Sequence, residues 1–377
     1  MKSRSNGIEP ITFNPQPTTH NLQPTTHNLH PNPSGCQFSF DYLRQMKFGV
    51  IGSGSWGTAL VKILQDSGQE LVWCVRSQKM VDHINGRHHN PKYLSSVYFS
   101  PDKLRVTTDP AMVYEQADAV VLAVPSAYAT TYLDNFSSVI LKRNTNIISA
   151  VKGIVPEVNI LLNEYLAAWE GFRQENYFTI MGPCHAEEVA AEKLSYLTFA
   201  GLDHAETAKI AAGFKTPYIN TVVSQDVAGV QYAAVLKNIY ALGTGIAHGL
   251  GYGDNFQSVL VANAAGEMKR FLNAIREGIE QSIDHAASVY LGDLLVTCYS
   301  LFSRNRSFGN MIGKGYGVEA AKLAMQMVAE GLPAAKCIHE INLSAGADMP
   351  IANTIYEVLW KGVDAAAAFE KLETSLS

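Results

Sequence analysis

The sequence predicts an α/β chain, a doubly wound sheet followed by an all-helical domain. Three observations predict it. Short apolar runs alternate with helix-patterned segments over residues 46–223, a glycine-rich turn joins the first run to the first helix, and beyond Ser224 only helical patterning continues.

Taken in order, residues 1–45 stand apart from this plan. Residues 16–29 read QPTTHNLQPTTHNL, one heptapeptide repeated, and His30-Pro31-Asn32-Pro33 follows. Proline blocks helix and nothing here alternates in hydrophobicity, so a disordered low-complexity extension is expected. A histidine tract can also hold metal, but these histidines have no acidic companions in the repeat. From Met46 the pattern changes. Lys47–Ile51 (KFGVI) is a short strand, a glycine turn follows, and about Trp56–Asp66 reads as helix. Leu71–Val75 (LVWCV), Thr145–Ala150 and Phe178–Met181 read as further strands. Asp118–Val124 (DAVVLAV) is a continuous apolar run, as a central parallel strand covered on both faces requires. These elements give a dinucleotide-type domain over 46–223.

Residues 226–248 form a helix that is apolar almost all round, with Val227, Val230, Tyr232, Val235, Leu236, Ile239, Leu242 and Ile246. A helix without a polar face belongs in the middle of a domain. Helical stretches near 256–278, 318–330, 333–345 and 351–361 complete a domain over 224–377, joined without a flexible linker. A site is expected in the cleft between the two.

Composition narrows the classes. The chain has 377 residues, 47% apolar and 17% charged, with a net charge of -5. That is ordinary globular composition, with no basic excess to favour nucleic acid or an anionic membrane. Five scattered cysteines form neither a C-x-x-C pair nor zinc-finger spacing, so reduced thiols in a cytoplasmic protein are expected. No apolar run approaches the ~20 residues of a membrane span, and the N-terminus lacks the apolar core of a secretory signal.

Gly52-Ser53-Gly54-Ser55-Trp56-Gly57 fits G-x-G-x-x-G between a strand and a helix. Gly52 permits the tight turn, Gly54 lets backbone approach a pyrophosphate, and Gly57 lets helix pack on strand. The helix N-terminus favours the phosphate charge. The hexapeptide alone is weak, since such a turn can be structural, but its position at the domain's start points to a Rossmann-type cofactor site. At the end of the second strand stands Arg76, with no carboxylate to bind a ribose 2′-hydroxyl. That favours NADP over NAD, although a surface arginine is compatible with either.

Between Lys215 and Lys269 the only Lys or Arg is Lys237, on the stripe Val227, Val230, Ala234, Lys237, Ala241 of the buried helix. Burying an ammonium is costly, so this lysine is a candidate catalytic group, unless it snorkels to a cleft edge or joins a structural ion pair. Downstream, Gly292-Asp293-Leu294 supplies a carboxylate that is also a possible helix cap. Ser303-Arg304-Asn305-Arg306 gathers guanidiniums, an amide and a hydroxyl in one loop suited to a phosphate, unless it is merely a solvated basic loop.

With these motifs in hand, the chain resembles the glycerol-3-phosphate dehydrogenase family. The resemblance runs in order over about Met46–Lys361 through GSGSWGTAL (52–60), VPS (124–126), VKG (151–153), GPCHAEE (182–188) and LKN (236–238). It continues through GYGDN (251–255), GDLLVTC (292–298), SRNRSFG (303–309) and AEG (329–331). The resemblance implies reversible reduction of dihydroxyacetone phosphate with NAD(P)H, supplying glycerol 3-phosphate for phospholipid synthesis. It implies Lys237 as proton donor and acceptor. Lys152, Gly182, Cys184, Asp293, Ser303, Arg304 and Asn305 would bind substrate. Gly52, Gly54, Ser55, Trp56, Gly57, Arg76, Lys152, Ala186, Arg304, Val328 and Glu330 would bind cofactor. Tyr128 would pack on the adenine or nicotinamide half. No metal is needed, because lysine polarises the ketone, and a homodimer through the helical domain is a possible assembly.

Two departures stand out. Cys184-His185 replaces the usual hydroxyl residue and phenylalanine, and a thiol is the weaker hydrogen-bond partner. An apparent insertion near Arg276–His285, with Tyr290-Leu291 in place of small residues before Gly-Asp, is expected to alter a surface loop only. The competing readings are another Rossmann-plus-helical dehydrogenase, acting on a hydroxy acid or sugar phosphate, and a non-catalytic NAD(P)-binding regulator. The latter predicts a missing proton donor or substrate loop, and both are in the sequence.

Overall fold

The computed structural model describes residues 46–156, 158–275, 284, 287–325 and 329–377. The expected extension over 1–45 lies outside them, as does the insertion near 276–285 save for Asp284.

Among the described residues eight strands form one sheet: β1 (Phe48–Ile51), β2 (Leu71–Cys74), β3 (Leu104–Thr107), β4 (Ala119–Leu122), β5 (Asn146–Ser149), β6 (Tyr177–Met181), β7 (Ser195–Gly201) and β8 (Ile219–Ser224). Their order is β3-β2-β1-β4-β5-β6-β7-β8. Pairing is parallel from β3 through β6, β7 runs antiparallel to β6, and β8 parallel to β7. The order reverses between β1 and β4, so a crevice opens beyond their carboxyl ends, where doubly wound sheets take ligands. Three strands went unread in the sequence. β3 (LRVT) exposes Arg105 and only half-buries its apolar residues, β8 is buried only at Ile219, and Ser, Thr and Gly dilute β7. None of them makes a clean apolar run.

Side chains alternate across the sheet even in its fully buried strands. Phe48 and Val50 of β1 and Ala119 and Val121 of β4 face one core, covered by Ala59, Leu60, Ile63 and Leu64 of α1 (Ser55–Asp66). Val120 and Leu122 face the other core, which runs on into the helical half. Helix α2 (Gln78–Arg87) follows β2, and the short α3 (Ala186–Ala190) follows β6.

The centre of the helical half is α4 (Val227–Gly249), with every residue from Gly229 to Ala247 buried. Tyr177 of β6 ties it to the sheet by donating to Gln231 Oε1 at 2.6 Å. Around α4 lie α5 (Asp254–Ala274), α6 (Asp293–Tyr299), α7 (Arg304–Gly313), α8 (Gly331–Ala345) and α9 (Pro350–Tyr356). The α4–α7 contact is backbone to backbone. A Cβ on Gly245 would stand 2.1 Å from Arg306 O, and one on Gly309 2.1 Å from Leu242 O. Glycine on both helices therefore brings the start of α7 close beside the helix that carries Lys237. The helix expected over 318–330 ends, among the described residues, at Ala324.

Candidate active site

The glycine turn lies at the carboxyl end of β1. Gly52 has φ +126, and a Cβ there would come within 2.2 Å of Ala123 O. A Cβ on Gly57 would stand 2.4 Å from Gly52 O, which explains the need for glycine where helix meets turn. At Gly54 a Cβ would meet nothing within 4 Å. That open space lies at the start of α1, whose first residues are Ser55 and Trp56 and which has no side-chain cap. Among the described residues, the N–H groups of Ser53, Gly54 and Ser55 have no protein acceptor. Open space, free N–H groups and a helix start together fit a dinucleotide pyrophosphate. Arg76 is exposed just past β2, beside Ser77, whose hydroxyl makes no capping bond to α2. Tyr128 is 60% exposed.

Lys237 and Asp293 form an ion pair at 3% and 1% exposure. Asp293 is the first residue of α6 and follows a π-helical turn, Ser288–Gly292. Its Oδ2 is buried without a hydrogen-bond partner, leaving acceptor capacity at the pair. Thr297, one turn further, donates to Asp293 O at 2.6 Å. The sequence reading missed Thr297, whose only signal is its i+4 spacing from the aspartate.

Lys152 stands in the loop after β5, half-buried, with its ammonium 5.0 Å from the centre of the Trp56 ring. Burial draws this lysine down to about 8, the positive charge of Lys237 adds to the effect, and Asp293 opposes it. Trp56 Nε1 is buried without a partner. One lysine thus touches the glycine-turn helix on one side and feels the Lys237–Asp293 pair on the other.

A chain of amides joins the segments that meet here. Asn238 donates to Lys152 O at 3.4 Å, Asn305 donates to Asn238 Oδ1 at 2.9 Å, and Gly331 N donates to Asn305 Oδ1 at 2.9 Å. Asn238 was not singled out in the sequence. Asn305, expected at the substrate, spends its oxygen and one amide hydrogen on this bracing. The Ser303–Gly309 segment, expected as a loop, is a helix start. Ser303 caps α7, its Oγ accepting from Arg306 N at 3.3 Å, so a polar residue before the helix sets its first turn. Arg304 is the exposed first residue of α7, whereas Arg306 turns inward, its charge acting on Cys298.

The remaining expected residues spread around this centre. Gly182 (φ +141) follows β6, where a Cβ would stand 2.5 Å from Tyr196 O. Cys184 is buried and donates to that same carbonyl at 3.2 Å, and burial pushes its thiol up to about 12. The thiol is therefore turned into the protein and inert, with its hydrogen already engaged. His185 packs against Phe302, and burial, then the charges of Lys152 and Lys237, hold its imidazole below the usual range. Ala186 is buried at the start of α3. Glu330 precedes α8 and accepts from Ser126 Oγ at 3.2 Å. Burial raises its carboxyl above the ordinary range, against that hydrogen bond and Arg304. Val328 lies outside the described residues. Tyr290, expected in a surface loop, is 4% exposed and donates to Asp226 Oδ2, the residue that caps α4. It ties the turn bearing Asp293 to the helix bearing Lys237.

The model for the N-terminus of NAD-dependent glycerol-3-phosphate dehydrogenase matches residues 47–207, and that for its C-terminus matches 226–370. Glycerol-3-phosphate dehydrogenase (NAD(P)+) of Enterococcus faecalis is 32% identical over 332 residues, covering 87% of this chain and 95% of the relative. That of Corynebacterium urealyticum is 34% identical over 313 residues, 83% and 93%. The crystal structure of glycerol-3-phosphate dehydrogenase from Coxiella burnetii superposes with a TM-score of 0.79 at 26% identity, covering 87% of this chain and 98% of that one. D-mandelate dehydrogenase, at 17% identity and a TM-score of 0.54, shares the fold alone.

Proposed function

The chain belongs to the NAD-dependent glycerol-3-phosphate dehydrogenase family, and we propose that it reduces dihydroxyacetone phosphate reversibly to sn-glycerol 3-phosphate with NADH or NADPH. The observation that carries this reading is the buried Lys237–Asp293 pair, with Lys152 and the start of α7 around it.

The residues suit the reaction. The nicotinamide supplies the hydride. Lys237, held by Asp293, donates a hydrogen bond to the ketone oxygen, stabilises the negative charge that grows there and delivers the proton. Arg304 and the first N–H groups of α7 hold the substrate phosphate, a dianion suited to a guanidinium and a helix start. Lys152 adds positive potential between phosphate and dinucleotide. Ser303 and Asn305 bind the substrate beside Arg304 as well as shaping the start of α7, and Gly182, Cys184 and Ala186 form the wall beside it. Gly52, Gly54, Ser55, Trp56 and Gly57 cradle the pyrophosphate. Arg76 and Ser77 receive a ribose 2′-phosphate, which favours NADPH, while Glu330 belongs to the nicotinamide end.

The product's use in phospholipid synthesis and a cytoplasmic setting are part of this reading. No helix among the described residues is long and apolar enough to cross a membrane. Cys74, Cys184 and Cys298 are buried free thiols, which suits a reducing compartment. A homodimer through the helical half is supported by the exposed apolar residues Leu295 and Tyr299, one turn apart on α6, and Leu301 beyond them. Sedimentation of the purified protein at the mass of a single chain would remove that part.

The test is direct. The chain from Met46, mixed with dihydroxyacetone phosphate, should oxidise NADPH at least as well as NADH and release glycerol 3-phosphate. Oxidation driven by a 2-keto acid but not by this ketone would overturn the reading.

A further inference from the structure

The cradle for the dinucleotide is held from behind by residues outside the glycine motif. All three carbonyls of its turn accept side-chain hydrogen bonds. Trp73 Nε1 donates to Gly52 O at 2.8 Å, Asn90 Nδ2 to Ser53 O at 3.1 Å, and Thr58 Oγ1 to Gly54 O at 2.8 Å. Asn90 also donates to Thr58 Oγ1 at 2.9 Å, so it supports two of the three. Its own oxygen accepts from Lys92 N at 2.9 Å and Tyr93 N at 3.1 Å. Asn90 and Thr58 are both 0% exposed. Every polar position of the Asn90 amide is therefore used, half to fix the loop after α2 and half to grip the glycine turn.

We infer that Asn90 is a positioning residue for cofactor binding, aiming the N–H groups of Ser53, Gly54 and Ser55 by pinning the carbonyls behind them. In a planar trans peptide the C=O of one residue and the N–H of the next point in opposite directions. Pinning Gly52 O fixes Ser53 N–H, pinning Ser53 O fixes Gly54 N–H, and pinning Gly54 O fixes Ser55 N–H. Among the described residues these N–H groups have no protein acceptor. Glycine backbone rotates more freely than that of other residues, so without pins the donors of this turn would have to be ordered at the moment of binding, at the expense of affinity. The inference rests on the dinucleotide reading of this turn and adds what holds it ready.

The experiment measures dissociation constants for NADPH, by its fluorescence, and for ADP-ribose, by calorimetry, on the whole chain. Asn90→Ala and Thr58→Val should weaken both ligands on the order of ten- to a hundredfold, the scale on which partners that orient a binding group act. Thr58→Ser, which keeps the hydroxyl, should restore binding to within a fewfold of the starting chain. KM for the ketone should move far less than KM for the cofactor. If Asn90→Ala does not fold, the Thr58 pair decides. Unchanged dissociation constants in Thr58→Val, or losses of equal size for ketone and cofactor, would overturn the role. If the unaltered chain binds neither NADPH nor ADP-ribose, the dinucleotide reading itself is wrong.

Discussion

Lys237 and Asp293 reach each other from different helices, α4 and α6, and bury their opposite charges together with 3% and 1% of their surfaces exposed. A buried ammonium is tolerated there because a carboxylate pairs with it. Lys237→Ala should lower kcat by ~10²–10⁴. It also strands Asp293, a loss of about 3–5 kcal/mol in stability. Lys237→Arg separates the two effects: the guanidinium preserves the charge pair but does not release its proton. Turnover of Lys237→Arg should therefore stay low while the melting temperature recovers toward that of the unaltered chain. Full turnover in either variant, with normal cofactor binding, would remove Lys237 from the reaction.

Arg304 opens α7 where Ser303 caps it, and its charge acts on both Lys152 and Glu330. Arg304→Ala should raise KM for dihydroxyacetone phosphate by about ten- to a hundredfold, as expected when a charged ground-state contact is removed. Arg304→Lys should recover part of this, because a point charge replaces a fork. Steady-state kinetics at saturating cofactor reads the difference, and an unchanged KM would place the phosphate elsewhere.

The sequence was most legible where one short segment carries the chemistry. The turn from Gly52 to Gly57 is contiguous, and Lys237 stood out as a lone charge in an apolar helix. What hid was assembled from distant segments. Trp73, Asn90 and Thr58 converge on the turn from β2, the loop after α2 and α1 itself, and no spacing rule links them. Asn305 read as a phosphate ligand because its neighbours are basic, and its bonds to Asn238 and Gly331, residues far off in the chain, could not be read with it. Tyr290 read as a loop substitution because its partner, Asp226, lies 64 residues earlier in the chain. Strands β7 and β8 were lost for a simpler reason, being too diluted by polar residues to give the apolar runs on which strand reading depends.

Lys152 predicts a pH limb. Burial, reinforced by Lys237, draws it down to about 8, so the free enzyme loses this charge as pH rises through that value. The neutral amine attracts neither phosphate nor the Trp56 ring. kcat/KM for the ketone should then fall above about pH 8 by up to tenfold per pH unit. Lys152→Arg keeps its charge throughout and should flatten the limb, whatever its absolute rate. A limb that persists in Lys152→Arg belongs to another group.

Glu267 predicts a pH effect on stability rather than on catalysis. It is fully buried in α5, and its two oxygens accept from Ile351 N at 2.7 Å and Ala352 N at 2.9 Å, capping the first turn of α9 from another helix. Burial raises its carboxyl from 4.5 to about 7, against the pull of those N–H groups. The folded chain thus holds a proton that the unfolded chain releases between pH 4.5 and 7. Where the folded state binds more protons, stability falls as pH rises, so this group contributes its full share below pH 4.5 and loses it by about pH 7. The loss is on the order of 3 kcal/mol, from 1.36 kcal/mol per pH unit. Glu267→Gln stays neutral and keeps an acceptor for one of the two N–H groups. It should be less stable than the unaltered chain at pH 4.5 and should close that gap, or reverse it, by pH 8. Urea unfolding at both pH values measures the difference, and a gap that does not change with pH would show that Glu267 stays ionised in the folded chain.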